Sequence, residues 1–385
     1  MTTPNKAGIY IHIPFCVKKC NYCAFLSGPA GPEVRQEYVN HLIEEIRLRS
    51  REVPEADTIY FGGGTPSLLT PEQIGHILEE VRKAFRITEG AEVTLEANPG
   101  TLTEESLAGY GNAGINRLSM GVQSMDDRRL RYLGRIHTAE EVRRDVKMTR
   151  EAGFHNINLD LIFAIPGTEA SDAMEDLEAI AALEPEHISF YSLQLEEGTS
   201  FFRDFEAGKL REVPDETDRE MYHRGIQVLR EKGYRHYEIS NFARPGYESR
   251  HNSKYWNMAE YVGLGLGASS YTGHRRMVNE TDLKAYSEML DRGELAFMEV
   301  HENSEGDDIS EAVFTGLRRE EGVRYRDVLG GFLEILSRGA AGSEGVRGRR
   351  VSGDERRGIE TDGTGNRYQQ RNHGAVRVTA GSGKV

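Results

Sequence analysis

Short apolar runs alternate with charged segments of helical period over roughly the first 200 residues. The apolar runs predict six strands, and the segments between them predict helices whose apolar positions recur along one face. The predicted strands are 8–15, 58–61, 92–97, 117–122, 156–163 and 186–195, and the predicted helices are 33–51, 71–86, 103–110, 138–152 and 170–183. Thr70 followed by Pro71 is typical of a helix start, because the hydroxyl caps the first turn and proline is accommodated there.

Six strand–helix units in series predict an α/β fold with a parallel sheet and right-handed crossovers. A closed barrel needs eight such units, so we expect an open, six-stranded partial barrel. Its ligands should bind at the carboxyl ends of the strands, where the loops gather. Beyond residue 200 the pattern is mixed, with a predicted helix at 215–232 and extended segments at 235–242 and 261–272.

The net charge of −14 argues against a nucleic-acid surface, which needs a basic footprint. The first ten residues do not have the pattern of a secretory signal, and no apolar run approaches the length of a membrane span. Three clustered thiols without a disulfide framework favour a reducing compartment, so the expected location is the cytoplasm. Peripheral membrane contact stays open, although no strongly basic amphipathic helix favours it.

All three cysteines lie in one short segment, as Cys16, Cys20 and Cys23, directly after the first apolar run. Three thiolates spaced C-x3-C-x2-C can hold three corners of a cubane iron–sulfur cluster, whose full ligation by protein takes four cysteines. The fourth iron is then open to an exogenous ligand. A zinc site with His12 or His41 as the fourth ligand is the alternative, although structural zinc loops favour paired C-x2-C knuckles.

This segment resembles the cluster loop of the radical S-adenosylmethionine (SAM) superfamily, and more narrowly the oxygen-independent coproporphyrinogen III oxidase group. The resemblance implies a partial (βα)6 barrel and a [4Fe–4S] cluster whose open iron is chelated by SAM. The true oxidases carry a further cysteine two residues after the third. That position is Phe25 here, which is the pattern of the haem chaperones in the same group.

The resemblance runs from Tyr10 to about Val323 and extends to the site residues. Gly62-Gly63-Gly64-Thr65-Pro66 lets the backbone approach a ligand closely and resembles the element that grips the methionine amino group. Polar side chains at the ends of later strands also match positions that contact SAM. The SAM-binding residues that the resemblance implies are Tyr10, Tyr22, Gly63, Gly64, Thr65, Glu96, Gln123, Arg135 and Asp160.

The segment from His251 to Trp256 places the only tryptophan of the chain beside a histidine and a tyrosine. Taken by itself it could be an ordinary turn with a packed tryptophan anchor. Histidine is also a common ligand of haem iron. The segment resembles the HNxxYW motif of the haem chaperones, which implies haem iron ligation by His251.

The division that follows from these patterns is a radical SAM core at 1–200, the remainder of the family core at 201–330, and a tail at 331–385. The tail is rich in Gly, Arg, Ser and Thr and is expected to be disordered. Disorder is the simple interpretation, but we favour a frameshift near 325–335, because a shifted reading of 359–378 permits a sequence that resembles the ordinary carboxyl terminus of the family. By either account, this tail takes the place of the helical domain that forms the carboxyl terminus of other members of the family.

The function we expect is that of a haem chaperone, which binds haem, a [4Fe–4S] cluster and SAM and transfers haem to an unidentified acceptor protein. The first alternative is oxidative decarboxylation of coproporphyrinogen III, and the second is a structural zinc-binding protein. In the superfamily the cluster donates an electron to SAM. The residues leave open whether this chain uses that chemistry on a substrate, and whether it forms a homodimer.

Overall fold

The computed structural model describes residues 6–323, and residues 305–323 belong to a second compact unit. The first unit holds twelve strands: β1 (Ala7–Ile13), β2 (Ala56–Gly63), β3 (Ile87–Ala97), β4 (Arg117–Gln123), β5 (Ile157–Phe163), β6 (His187–Ser192), β7 (Arg235–Glu238), β8 (Asn241–Ala243), β9 (Tyr261–Leu264), β10 (Ser269–Thr272), β11 (Arg275–Asn279) and β12 (Phe297–Glu302). Its helices are α1 (Pro32–Leu48), α2 (Pro71–Ala84), α3 (Glu104–Ala113), α4 (Asp127–Leu133), α5 (Ala139–Glu151), α6 (Ala170–Ala181), α7 (Ser200–Glu206), α8 (Asp215–Glu231), α9 (Arg250–Trp256) and α10 (Leu283–Asp291).

The twelve strands form one sheet in the order β12-β11-β10-β9-β1-β2-β3-β4-β5-β6-β8-β7. Strands β1 to β6 pair in parallel, each with its successor, as the six predicted strand–helix units require. The expectation of an α/β fold with an open sheet is therefore confirmed. The later segments extend both edges, because β9 adds in parallel to β1 and β8 adds antiparallel to β6.

Several boundaries differ from those the sequence predicted. The extended segments 235–242 and 261–272 each divide into two short strands, β7 with β8 and β9 with β10. Helices α4, α7 and α10 were not predicted, and the motif read as a turn is the short helix α9. Each of these helices is 7 to 9 residues long, which is too short for hydrophobic periodicity to reveal.

Local sequence explains where the helices beside the barrel begin. Thr70 accepts a hydrogen bond from the backbone of Gln73, whose side chain reaches back to the Thr70 amide, so α2 starts with a capping box. Thr138 and Glu141 form the same kind of capping box at the start of α5. These caps satisfy backbone donors that the first helical turn leaves unpaired.

Alternation along the strands separates an apolar layer from a polar interior. Ile9, Ile11 and Ile13 of β1 are completely buried in the main hydrophobic core, whereas Tyr10 and His12 between them belong to the opposite face. Side chains inside the barrel hydrogen-bond to one another across the strands: examples are Tyr60 with Glu96, Asn158 with Ser119, His187 with Asn158, and Tyr191 with Gln123. The interior therefore holds polar side chains instead of the usual layers of branched apolar ones.

The second unit is described only as far as residue 323. Its helix α11 (Glu305–Gly316) begins with acidic residues in its first turn, where their negative charge interacts favourably with the positive end of the helix dipole. The predictions for 331–385, of disorder or a frameshift, concern residues outside the described part of the chain. No helix within residues 6–323 is long and apolar enough to cross a membrane.

Candidate functional site at the carboxyl ends of the strands

One cavity lies where strands β1 to β6 end, as the strand–helix pattern predicts. All three cysteines line it, together with eight of the nine residues assigned to SAM by resemblance. These eight are Tyr22, Gly63, Gly64, Thr65, Glu96, Gln123, Arg135 and Asp160. Residues that are far apart in sequence are thus brought together, and only Tyr10 and His251 of the predicted site residues do not line this cavity.

Hydrogen bonds join the two ends of the cysteine loop and hold its middle against the barrel. The Cys16 amide donates to the carbonyl oxygen of Gly28 at 3.0 Å, and the Gly28 amide donates to Pro14 at 3.0 Å. Further along, the backbone and side-chain nitrogens of Asn21 donate to Leu133 and Tyr132 of α4. These bonds fix a loop that has no regular secondary structure of its own, and all three thiols remain free of disulfides.

The glycines after β2 allow this loop to lie close to the sheet. A Cβ atom on Gly64 would come within 2.5 Å of the Phe15 carbonyl oxygen, and Gly63 has φ of +112°. Both positions therefore require glycine, the first for space and the second for its left-handed backbone. Thr65 follows, and its hydroxyl lies 3.6 Å from the sulfur of Cys16.

Glu96 is the central carboxylate at the cavity floor. The phenol of Tyr60 donates to its Oε1 at 2.7 Å and the Gly63 amide donates to its Oε2 at 3.2 Å. Burial is the main cause that raises the pKa of Glu96 to about 7, with a contribution from neighbouring Asp160. Burial likewise raises the pKa of Asp160, although hydrogen bonds from Ser189 and Asn158 partly offset the effect. These carboxyl groups sit in surroundings suited to a cationic or hydroxyl-bearing ligand.

Arg135 joins the cysteine loop to the end of β4. One guanidinium nitrogen lies 3.5 Å from the sulfur of Cys20, and another donates to the side chain of Asn98 and the carbonyl of Gly121. Its Nε is buried and has no hydrogen-bond partner among the described residues. An unsatisfied buried donor on a guanidinium is suited to a carboxylate ligand.

Strained backbone aims Gln123 into the cavity. Its φ of +74° lies in the left-handed region, which is uncommon for residues other than glycine, and the register of β4 against β5 shifts just before it. The phenol of Tyr191 donates to its side-chain oxygen at 2.9 Å. Such strain is retained when the surrounding structure over-determines the geometry, as it often does at functional sites.

The family model "Radical SAM superfamily" matches residues 10–180. The heme chaperone HemW of Bacillus subtilis (strain 168) is 37% identical over 333 residues, which cover 85% of this chain and 88% of that protein. The chain belongs to the HemW family. Escherichia coli (strain K12) HemW is 39% identical over 264 residues and is matched over 68% of each chain. The expectation of a radical SAM protein similar to the haem chaperones is confirmed.

A solved structure supports the fold of this HemW family member. Coproporphyrinogen III oxidase (HemN) from Escherichia coli, a radical SAM enzyme, superimposes with a TM-score of 0.73. The match covers 88% of this chain and 84% of that one, at 24% sequence identity. At that identity the likeness establishes the shared architecture and says nothing about a shared reaction.

The radical SAM superfamily implies a [4Fe–4S] cluster and SAM, and the cavity of this HemW family member fits both. Three free thiols on one loop provide three cluster ligands. The unpartnered Nε of Arg135 and the carboxylate of Glu96 provide opposite charges for a molecule that carries both a carboxylate and an amino group. The glycines after β2 allow the cysteine loop to lie close to the sheet beside these groups.

The two histidines considered as the fourth ligand of a zinc site, His12 and His41, both have hydrogen-bond partners away from the cysteines. The two ring nitrogens of His12 bond to the Tyr10 phenol and the Leu26 carbonyl, at 3.0 and 2.9 Å. His41 lies on α1 and bonds to Asp291. The arrangement therefore argues against a Cys₃His site with either histidine.

Tyr10 lies beneath the cavity instead of in its lining. Its ring packs 6.2 Å from that of Tyr60 and 6.4 Å from that of His251, measured between centroids. Burial raises its pKa, so the phenol stays protonated. Direct contact with SAM at Tyr10 remains a prediction.

His251 lies at the opposite end of the barrel, beside the beginning of β1 and β2. Its ring is buried, with Nδ1 2.8 Å from the Thr58 hydroxyl and Nε2 2.8 Å from the Tyr255 hydroxyl. Burial is the main cause that lowers its pKa to about 3, so the ring is neutral. Ligation of haem iron by His251 therefore requires one of these two hydrogen bonds to break.

Sequence patterns did not identify several other residues of the cavity region. Asn98 donates to the Thr65 hydroxyl at 2.7 Å and accepts from Arg135, so it links the two sides of the site. Its position two residues after Glu96, in a Pro-Gly turn, was an available signal. His137 also lines the cavity, and its Nδ1 is buried without a partner among the described residues.

Proposed function

We propose that this protein is a haem chaperone that carries a [4Fe–4S] cluster and SAM in its barrel and transfers haem to an acceptor protein. The observation that carries the proposal is the likeness to heme chaperone HemW at 37% identity across 88% of that protein. Phe25 supports it, since the oxidases that the chain resembles would have a cysteine at this position.

In this proposal Cys16, Cys20 and Cys23 ligate three irons of the cluster. When bound, the cluster supplies an electron to SAM. Arg135 would bind the methionine carboxylate through its unpartnered Nε, while Glu96 and the backbone of Gly63 and Gly64 would receive the amino end. Asp160 and Gln123 hold the nucleoside hydroxyls, and Tyr22 shields the cluster from water.

The test is to reconstitute the cluster anaerobically in the full chain, add SAM and haem, and follow the haem absorption spectrum. A parallel assay supplies coproporphyrinogen III and measures decarboxylation. We expect stoichiometric haem binding without porphyrin product, and transfer of the bound haem to apomyoglobin as a generic acceptor. Turnover of coproporphyrinogen would replace the proposal with the oxidase activity, and absence of haem binding would reject it.

A further inference from the structure

Three large apolar side chains surround the opening of the cavity and are exposed to solvent. Val17 is 55% exposed, Phe25 69% and Ile136 55%, and Phe25 is the most exposed large apolar side chain among residues 6–323. Exposed apolar residues are ordinary when scattered singly, but a group around one opening indicates a ligand or partner. The first two belong to the cysteine loop and the third to the segment between α4 and α5.

Two cations share the same opening. Lys18 and Lys19 are exposed and line the cavity together with the three apolar side chains. Lys19 donates to the carbonyl of Phe25 at 3.1 Å, which holds its ammonium group beside the backbone of Phe25. The carboxylates that line the cavity, Glu96 and Asp160, lie at its floor. In a chain of net charge −14, a rim of two lysines favours an anionic ligand.

We propose that this mouth, formed by Val17, Lys18, Lys19, Phe25 and Ile136, is the haem-binding surface of the protein. The inference rests on the haem-chaperone function proposed above and assigns the haem to a place. Haem is a flat apolar ring system with two propionate groups at one edge. The apolar side chains pack against the macrocycle, and the lysines pair with the propionates.

This surface is distant from the segment from His251 to Trp256, which the sequence indicated as the haem-binding motif. His251 lies beside Gly8, near the start of β1, whereas the cysteine loop follows the end of that strand. The five residue steps from Gly8 to Ile13 span roughly 16 Å of extended strand. Haem held at the mouth is therefore beyond the reach of the His251 ring, whose two nitrogens already have partners.

A haem site at the mouth and a haem site at His251 differ in how binding depends on iron. A mouth that recognises the macrocycle and the propionates should bind metal-free protoporphyrin IX almost as tightly as haem. A site built on a histidine–iron bond should strongly prefer haem. The ratio of the two dissociation constants therefore distinguishes the two locations without any substitution in the protein.

The experiment uses the full chain with its cluster reconstituted and SAM present, and titrates it with haem and with protoporphyrin IX. The variants are Phe25→Ser, Ile136→Ser and the double change Lys18→Glu with Lys19→Glu. The controls are Met298→Ser, which changes a side chain 53% exposed on β12, and Lys232→Glu, which changes an exposed lysine at the end of α8. Cluster absorption, measured on every variant, confirms that each one folds.

We expect each variant of the mouth to weaken binding of both ligands about tenfold or more, because the serines remove apolar contacts with the macrocycle and the glutamates repel the propionates. The two controls should bind like the unaltered protein, and protoporphyrin IX should bind within about threefold of haem. Unaltered affinity in all the mouth variants would overturn the inference. So would binding that needs iron and is abolished by His251→Ala, which would leave the chaperone function standing. If the unaltered protein binds no haem, the proposed function itself fails.

Discussion

Nδ1 of His251 lies 2.8 Å from the Thr58 hydroxyl, inside the amino-terminal end of the barrel. The backbone amide of His251 donates to Glu92 at 3.0 Å, and its ring stacks on Tyr60 at 5.1 Å between centroids. Tyr60 in turn donates to Glu96 at the floor of the cavity. The histidine thus closes the bottom of the barrel and supports a tyrosine that contacts the site.

We expect His251→Ala to lower the free energy of unfolding by about 2–4 kcal/mol, because it opens a buried cavity and leaves the Thr58 and Tyr255 hydroxyls without this partner. Chemical denaturation measures the change. His155→Ala is the matched control, since His155 is exposed and should change stability by less than about 0.5 kcal/mol. Equal effects of the two substitutions would show that the His251 ring does not stabilise the barrel.

The raised pKa of Glu96 predicts a dependence of stability on pH. Its pKa is about 7 in the folded protein against 4.5 for the ordinary group, so the folded state holds more protons between these values. Stability of the protein without its cofactors should therefore decrease as the pH rises from 4.5 to 7 and then level off. Over that window the unaltered protein should lose on the order of 2 kcal/mol relative to Glu96→Gln.

This difference between the two proteins is the quantity to measure, by denaturation at several pH values, because titrating groups far from Glu96 contribute equally to both. A difference that stays constant across the window would mean that Glu96 has an ordinary pKa. A difference that grows in favour of the unaltered protein would mean that its carboxylate is stabilised by folding.

Cys16→Ala should abolish assembly of a stable cluster, because two thiolates hold a cubane poorly. Iron and sulfide content after anaerobic reconstitution, together with the visible absorption spectrum, measures the loss. Ser27→Ala is the control within the same loop, since the Ser27 hydroxyl donates to the carbonyl of Phe25 and not to a cysteine. Full cluster content in Cys16→Ala would exclude Cys16 as a ligand.

Gly64→Ala should displace the cysteine loop, because the added Cβ would meet the carbonyl oxygen and backbone nitrogen of Phe15 at 2.5 and 2.9 Å. Neither atom belongs to a side chain that could move aside. We expect at least a tenfold loss of SAM affinity, about 1.4 kcal/mol, measured by equilibrium dialysis on the protein with its cluster.

Gly75→Ala provides the matched control for this substitution. Gly75 lies within α2, and a Cβ there would make only an ordinary contact with Ala113 at 3.8 Å. Alanine in a helix interior should stabilise the protein by roughly 0.5–1 kcal/mol and leave SAM binding unchanged. Equal SAM affinities in the two alanine variants would contradict the steric role of Gly64.

The candidate site was largely predictable because its residues follow strands. Glu96 and Gln123 come at the ends of β3 and β4, and the carboxyl ends of parallel strands meet at one edge. The grouping of Cys16, Cys20 and Cys23 in one loop of the cavity was predictable from their spacing alone, since residues three and four positions apart stay close together in any backbone conformation. These signals are local in sequence and can therefore be recognised without a structure.

What the sequence determined by itself is the six strand–helix units, the cysteine loop and the glycines that follow β2, because period and spacing are properties of neighbouring residues. The tertiary structure decided which polar residues pair inside the barrel. It placed His251 against Thr58, 193 residues away along the chain, and joined Arg135 to Cys20 across 115 residues. It also placed Phe25 and Ile136 at one opening, because contacts between distant segments depend on how the sheet curves and not on local pattern.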